Sequence, residues 1–261
     1  MKRRVENDIQ IIKSGHQPRN RLLIVTATLG IVRVEWAGAR FGQVIPCNWS
    51  LGQQWYGPNM VIPMSYLVAD AQNVGVQCAI EGDYEWLFLH EDDVILPPDC
   101  FLKLNEYMRS KQVPIVSGLY YTKSEPAEPV LYRGSGTSYY ADWKRGDKVW
   151  VDGCPTGCLL IHRSILDVVH KEAPEYKTID GVTRKQVFVT AAEVFMDPQT
   201  QQYSSACGTS DLVFCRNVIK NSVLAKAGWK KLAKKQYPFL VDTTLFCGHI
   251  DLTSGKVFPL R

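Results

Sequence analysis

Short apolar runs alternate along this chain with stretches of helical spacing. Residues 22–28, Leu-Leu-Ile-Val-Thr-Ala-Thr, are apolar until they close on hydroxyls and Gly30, which predicts a buried strand whose end faces a ligand. From Leu67 the period changes: Leu67, Val68, Ala71, Val74, Cys78 and Ala79 recur at helical intervals, with Ser65 placed to cap the helix and Gly82 to end it. Trp86 to Leu89 is again an unbroken apolar run, the pattern of a strand covered on both faces, and Pro97-Pro98 stops any regular element beyond it. Strand, helix and strand in this order predict a parallel, right-handed crossover whose strand ends share one sheet edge.

The same reading places a short helix near residues 32–41 and strands at 44–49, 113–121, 149–152, 157–161 and 239–246. It puts one helix from about Ser164 and another from Ser210, as N-cap, to about Ala227, ended by Gly228. Residues 134–146 interleave small residues with Tyr139, Tyr140 and Trp143, which fits either a mobile flap or a plain hairpin loop. Residues 1–20 form a polar N-terminal arm, leaving 21–261 as a single α/β domain.

Composition changes this picture little. With 261 residues and 46% hydrophobic content, the chain can bury a full core, and a net charge of +4 sets up no sequence-wide basic field of the kind nucleic acid demands. No stretch approaches the ~18–20 apolar residues of a membrane span. The charged N-terminus lacks the apolar core of a secretory signal, so the expectation is a soluble cytoplasmic protein, in the host cytoplasm if the source is viral. Eight cysteines in that setting are expected to be reduced thiols. Cys154, Cys158, Cys247 and His249 can be written as a zinc set, but at spacings unlike the common structural ones. Lys226, Lys230, Lys231, Lys234 and Lys235 around Trp229 read as a solvated helix face or as a phosphate-contacting patch.

The candidate chemistry is concentrated where the strand at 86–89 ends. Glu91, Asp92 and Asp93 follow it directly, and three unpaired carboxylates would not be buried there without compensation. In open α/β sheets ligands bind at the carboxyl ends of strands, and clustered carboxylates suit a hard divalent cation that also holds substrate phosphates. A solvated acidic turn is the plainer alternative. Asp211, in the first turn of its helix, is held ionised by the helix dipole and so is placed to act as a base, although capping alone would explain its neighbour Ser210. His249 taken singly reads as a hydrogen-bonded structural histidine.

Taken together and in order, several segments resemble the nucleotide-sugar glycosyltransferases of the GT-A fold, the family-2-like group with phage and microbial members. They are Ile24-Val-Thr-Ala-Thr28, Asp70-Ala-Gln-Asn73, Leu89-His-Glu-Asp-Asp-Val-Ile-Leu-Pro-Pro98, Val116-Ser-Gly-Leu-Tyr120, the segment 151–163, Ser210-Asp-Leu-Val-Phe-Cys-Arg216 and Cys247-Gly-His249. The resemblance covers about residues 21–251. It implies a Rossmann-related mixed sheet, mostly parallel and flanked by helices, with a nucleotide-binding part at about 21–99 and an acceptor side at about 113–251.

By the same resemblance Glu91-Asp92-Asp93 stands at the Asp-x-Asp motif. Asp93 would ligate Mn2+ or Mg2+, Asp92 would contact the donor ribose or complete the shell, and Glu91, longer than the family's Asp, would reach the metal through water. His249 matches a late histidine that supplies a further ligand. Thr26, Thr28, Gln72 and Asn73 would meet the nucleotide, with Gln72 standing where the family usually has Arg. Gly157 lies in a small-residue turn that lets donor and acceptor approach the backbone. Asp211 matches the general base of inverting members.

The reaction so implied moves a sugar from a UDP- or GDP-sugar to an acceptor hydroxyl on a glycan, a lipid-linked sugar, a protein or a modified DNA base. Two other classes stay open: a Mg-dependent nucleotidyltransferase or sugar-phosphate pyrophosphorylase, and a non-catalytic carbohydrate- or nucleic-acid-binding module.

Overall fold

The alternation within the first strand explains the architecture. Leu22 and Ile24 belong to one core cluster and Leu23 and Val25 to another, because successive strand side chains point to opposite faces. A strand covered on both faces has no polar positions. A computed structural model of the protein describes residues 22–49, 60–134, 138–196, 201 and 203–259, with backbone alone for 191–195 and 203–207. The expected N-terminal arm lies outside the described residues.

In chain order the first half comprises β1 (Leu22–Val25), α1 (Val34–Phe41), β2 (Met60–Val61), α2 (Val68–Glu81), β3 (Trp86–His90), β4 (Val94–Ile95), α3 (Cys100–Ser110) and β5 (Ile115–Leu119). Next come β6 (Lys148–Val151), β7 (Cys158–His162), α4 (Arg163–Glu172), β8 (Glu175–Lys177), β9 (Thr183–Lys185), β10 (Ala191–Met196) and β11 (Tyr203–Gly208). The chain closes with α5 (Ser210–Lys220), α6 (Val223–Lys226), α7 (Lys230–Ala233), β12 (Phe239–Phe246), β13 (Gly248–Ile250) and β14 (Val257–Phe258).

The central sheet has seven strands in the order β2-β1-β3-β7-β5-β12-β6. The pairs β2-β1, β1-β3 and β5-β12 are parallel, whereas β7 and β6 run against the rest. It is a mixed, mostly parallel sheet flanked by helices, a GT-A/Rossmann-like arrangement. One face packs Leu87, Leu89, Leu159 and Ile161 under Val76 and Ala79 of α2, Ile165 of α4 and Phe214 of α5. The other packs Trp86, Phe88, Val116 and Leu240 under Phe101, Leu104 and Met108 of α3. A separate antiparallel sheet, β14-β13-β4, joins the last strands of the described chain to the segment just beyond the acids.

Several local expectations are corrected. Residues 44–49 form no strand; Trp49 closes a turn on Pro46 O and packs its ring 5.0 Å from Phe101. The strand beside β1 is β2 instead. Ser65 does not cap α2: it has φ 63° and its N–H bonds Thr28 O, so Leu67 is the N-cap. Thr209 rather than Ser210 precedes α5, and the expected helix to Ala227 breaks at Ser222, φ 52°, into α5 and α6. Helix α3 went unread, although Phe101, Leu104 and Met108 carry helical spacing immediately after Pro97-Pro98 and Asp99.

Candidate functional site

The end of β3 is built to turn. His90 is buried with its Nε2 2.7 Å from Val94 O, so that nitrogen donates to the carbonyl, while the Trp36 ring lies stacked 5.1 Å away and its Nε1 donates to Glu91 O at 2.9 Å. Burial pushes the imidazole down to about 3, so it stays neutral. The three acids that follow are all partly buried and reach three different neighbourhoods.

Asp93 meets His249. Strand β13 pairs with β4 in a register that sets His249 opposite Val94, and Ile250 N–H donates to Asp93 O at 2.8 Å. This brings His249 Nε2 to 3.4 Å from Asp93 Oδ2. The same oxygen accepts from Lys123 Nζ, whereas Asp93 Oδ1 is buried with no hydrogen-bond partner among the described residues. Burial would raise this carboxyl, but His249 and then Lys123 outweigh it and hold it below the usual range.

His249 Nδ1 lies 2.6 Å from Tyr121 O, and since a carbonyl only accepts, Nδ1 carries the hydrogen. Nε2 therefore faces a carboxylate oxygen, which it meets either as the second N–H of an imidazolium, the form that lowers the Asp93 carboxyl, or as the lone pair of the neutral ring, where a cation could be shared between the two. An imidazole and a carboxylate so placed fit a divalent ion by donor type, and the Tyr121 carbonyl fixes the ring. Among the described residues no group of three His, Cys, Asp or Glu side chains gathers for a metal. Asp93 and His249 are two possible ligands, and further coordination would have to come from outside these side chains.

Glu91 turns elsewhere. Its Oε1 accepts from Thr156 Oγ1 at 2.9 Å, and that hydroxyl in turn accepts from Gln72 Nε2 at 3.1 Å. Burial first, then the charge of Asp93, lifts its carboxyl to about 8 against the Thr156 hydrogen bond. Glu91 therefore carries a proton at neutral pH. Asp92 is also raised by burial, partly offset by a hydrogen bond from Thr28, whose Oγ1 further accepts from Gly30 N–H at 3.1 Å.

The expected nucleotide contacts separate in the same way. Gln72 is buried, with Oε1 unpartnered among the described residues. Thr26 is buried at the end of β1, its Oγ1 likewise unpartnered among them. Asn73 is the exception: its amide donates to Tyr176 OH and Phe188 O and accepts from Val187 N–H and Phe188 N–H, all at 2.8–2.9 Å. All four of its positions are spent, so as placed it offers nothing to a nucleotide and instead pins the segment after β9. Gly157 is close-packed against the protein itself, since a Cβ there would lie 2.6 Å from Val94, 2.8 Å from Tyr120 OH and 2.9 Å from Glu91 Oε2.

Asp211 sits in the first turn of α5, with its Oδ1 accepting from Leu212 N–H at 2.8 Å. Burial raises its carboxyl, opposed by a hydrogen bond from Thr209. Its charge is felt at Glu91, Tyr120 and Tyr132, so it lies near the same end of the sheet.

Residues the sequence reading passed over complete the site. Tyr120 bonds Gly157 N–H at 3.1 Å and packs edge-on to His249 at 4.9 Å; Thr156 links Glu91 to Gln72; Lys123 reaches Asp93. Tyr120 and Thr156 stand in segments that carry the resemblance, with no role attached to either, whereas Lys123 stands in none.

The paper zinc set does not assemble. Cys154 lies in one core cluster, 3.8 Å from Cys215 Sγ, Cys158 lies in the other beside Cys247, and His249 faces Asp93. All seven described cysteines are free thiols. The lysines near Trp229 disperse: Lys226 pairs with Glu172 at 2.7 Å and Lys235 lies 3.3 Å from the centre of the Trp150 ring. In the 134–146 loop, of which 135–137 lie outside the described residues, Tyr140 and Trp143 pack against the core. No described helix is long and apolar enough to cross a membrane.

No protein-family model matches this chain, and no curated protein matches it. Among solved structures it is similar to the crystal structure of A197 from STIV, with a TM-score of 0.52 and 18% identity over 91% of this chain and 92% of that one. At that identity the likeness concerns the fold, and over nearly the whole of both chains it supports the GT-A-like reading of the sheet.

Proposed function

We propose that this protein is a metal-assisted glycosyltransferase of the family-2-like GT-A group, of phage or microbial type, which moves a sugar from a UDP- or GDP-sugar to an acceptor hydroxyl in the cytoplasm. The observation that carries the reading is the Asp93–His249 pair at the carboxyl end of a parallel strand, with the histidine tautomer set by Tyr121 O and one Asp93 oxygen left without a partner. Asp93 and His249 would hold Mn2+ or Mg2+. Bound there, the ion supplies Lewis-acid neutralisation of the diphosphate as it leaves.

The chain's own groups do the rest. Gln72, Thr26, Thr28 and Asp92 line the donor side, next to the end of β1. Asp211, an acid whose proton affinity is raised by burial, takes the acceptor proton. Glu91, protonated at neutral pH, keeps a second negative charge away from the diphosphate.

Calorimetric titration of UDP and GDP with and without Mn2+ tests the reading. Binding of either that tightens with metal supports it. No binding of any nucleoside diphosphate under either condition would sink it, and adenylate or uridylate transfer to a sugar phosphate would favour a pyrophosphorylase.

A further inference from the structure

The loop that follows β5 is closed by its own hydrogen bonds. Thr122 N–H donates to Glu128 O at 2.8 Å, Glu128 N–H returns a bond to Thr122 Oγ1 at 2.9 Å, and Glu125 pairs with Lys256 at 2.6 Å. From this frame Lys123 extends to Asp93 Oδ2, with about a quarter of its side chain exposed. Among the described residues Asp93 is the one hydrogen-bond acceptor its ammonium meets, which leaves two N–H groups for other oxygens. The charge of Lys123 is also felt at Glu91, Asp92 and Asp251, so the ammonium is the cation at the centre of an acidic site. It stands on the very oxygen that the metal reading also requires.

We propose that Lys123 is a diphosphate-binding residue: its ammonium rests on Asp93 in the free protein and passes to a diphosphate oxygen when donor binds. This rests on the glycosyltransferase reading and deepens it, because it gives the leaving diphosphate a cation supplied by the chain itself. A flexible stem on a closed loop suits such a transfer, and ammonium is a compact point charge for phosphate. Leaving Asp93 also frees Oδ2 for the metal. Lys123 and metal therefore compete for Asp93 but cooperate on the diphosphate.

That combination yields opposite signs in one variant. UDP and GDP are titrated calorimetrically in EDTA into wild type, Lys123→Gln and Lys123→Arg, and MnCl2 alone is titrated into the same three, with circular dichroism melts to confirm folding. Lys123→Gln should lose about tenfold or more in metal-free UDP or GDP affinity, Lys123→Arg should retain most of it, and Mn2+ alone should bind the Gln variant more tightly than wild type. Equal metal-free affinity of wild type and Lys123→Gln would overturn the proposal, as would weaker Mn2+ binding by the Gln variant. Wild-type binding seen only with Mn2+ would overturn it too while leaving the glycosyltransferase reading intact, whereas no binding at all would remove both.

Discussion

His249 Nε2 lies 3.4 Å from Asp93 Oδ2, and backbone pairing between β13 and β4 is what brings the two together. The β13–β4 register places His249 opposite Val94, so the imidazole is delivered beside the acid by main-chain hydrogen bonds, and Tyr121 O fixes its rotation. Preorganisation of this kind is what a catalytic cation site needs.

Removing either partner should therefore cost metal-dependent binding without unfolding the chain. Asp93→Ala is expected to abolish the Mn2+-dependent part of UDP or GDP binding, and His249→Ala to weaken it by roughly 10–100-fold. Calorimetry on folded variants reads both. Unchanged Mn2+ dependence in Asp93→Ala would end the metal assignment.

Glu91 makes stability depend on pH in a definite direction. Its folded-state value of about 8 lies above that of an ordinary glutamate, so between about 4.5 and 8 the folded state holds a proton that the unfolded state releases. Its contribution is fully present below that window and lost as pH rises through it. Glu91→Gln, which keeps the shape and cannot ionise, should match wild type near pH 5 and melt clearly higher than wild type by pH 8.5. Melting curves without metal at both pH values decide it, and a constant offset would show that Glu91 is ionised in the fold.

Asp211 is expected to serve the acceptor. Asp211→Asn keeps its size and can still accept from Leu212 N–H, so donor affinity should stay within about twofold while kcat falls by roughly 10^2–10^4. A loss of metal-dependent donor binding in this variant would instead place Asp211 in the metal shell, and unaltered turnover would take it out of the mechanism.

Asn73 should behave as a structural residue although it falls within a segment that resembles a nucleotide contact. Asn73→Ala strips partners from Val187 N–H, Phe188 N–H and Phe188 O, at about 1–3 kcal/mol for each buried group left unsatisfied. The expected result is a marked fall in melting temperature and faster proteolysis near 175–188, with UDP or GDP affinity unchanged below the transition. A large affinity loss with full stability would restore the nucleotide role.

The chain's local periodicities determined much of the frame. The apolar runs at the start of β1, in β3 and at the start of β12 record strands covered on both faces, the helical spacing within 68–79 records a helix although its buried face runs through Ala69, Ala71, Val76 and Ala79 with Val68 exposed, and the acids beyond β3 had to lie at a strand end. Such patterns register only neighbours along one element. Tertiary structure alone decided that β13 pairs with β4 and so brings His249 to Asp93, that Glu91 turns to Thr156 while Asp93 turns to Lys123, and that Asn73 bonds the segment after β9. Adjacent acids with the same chemistry came to differ because each met a different buried surrounding. Pairing register and the partners available to a half-buried polar group depend on how distant segments pack, and neither leaves a period in the sequence.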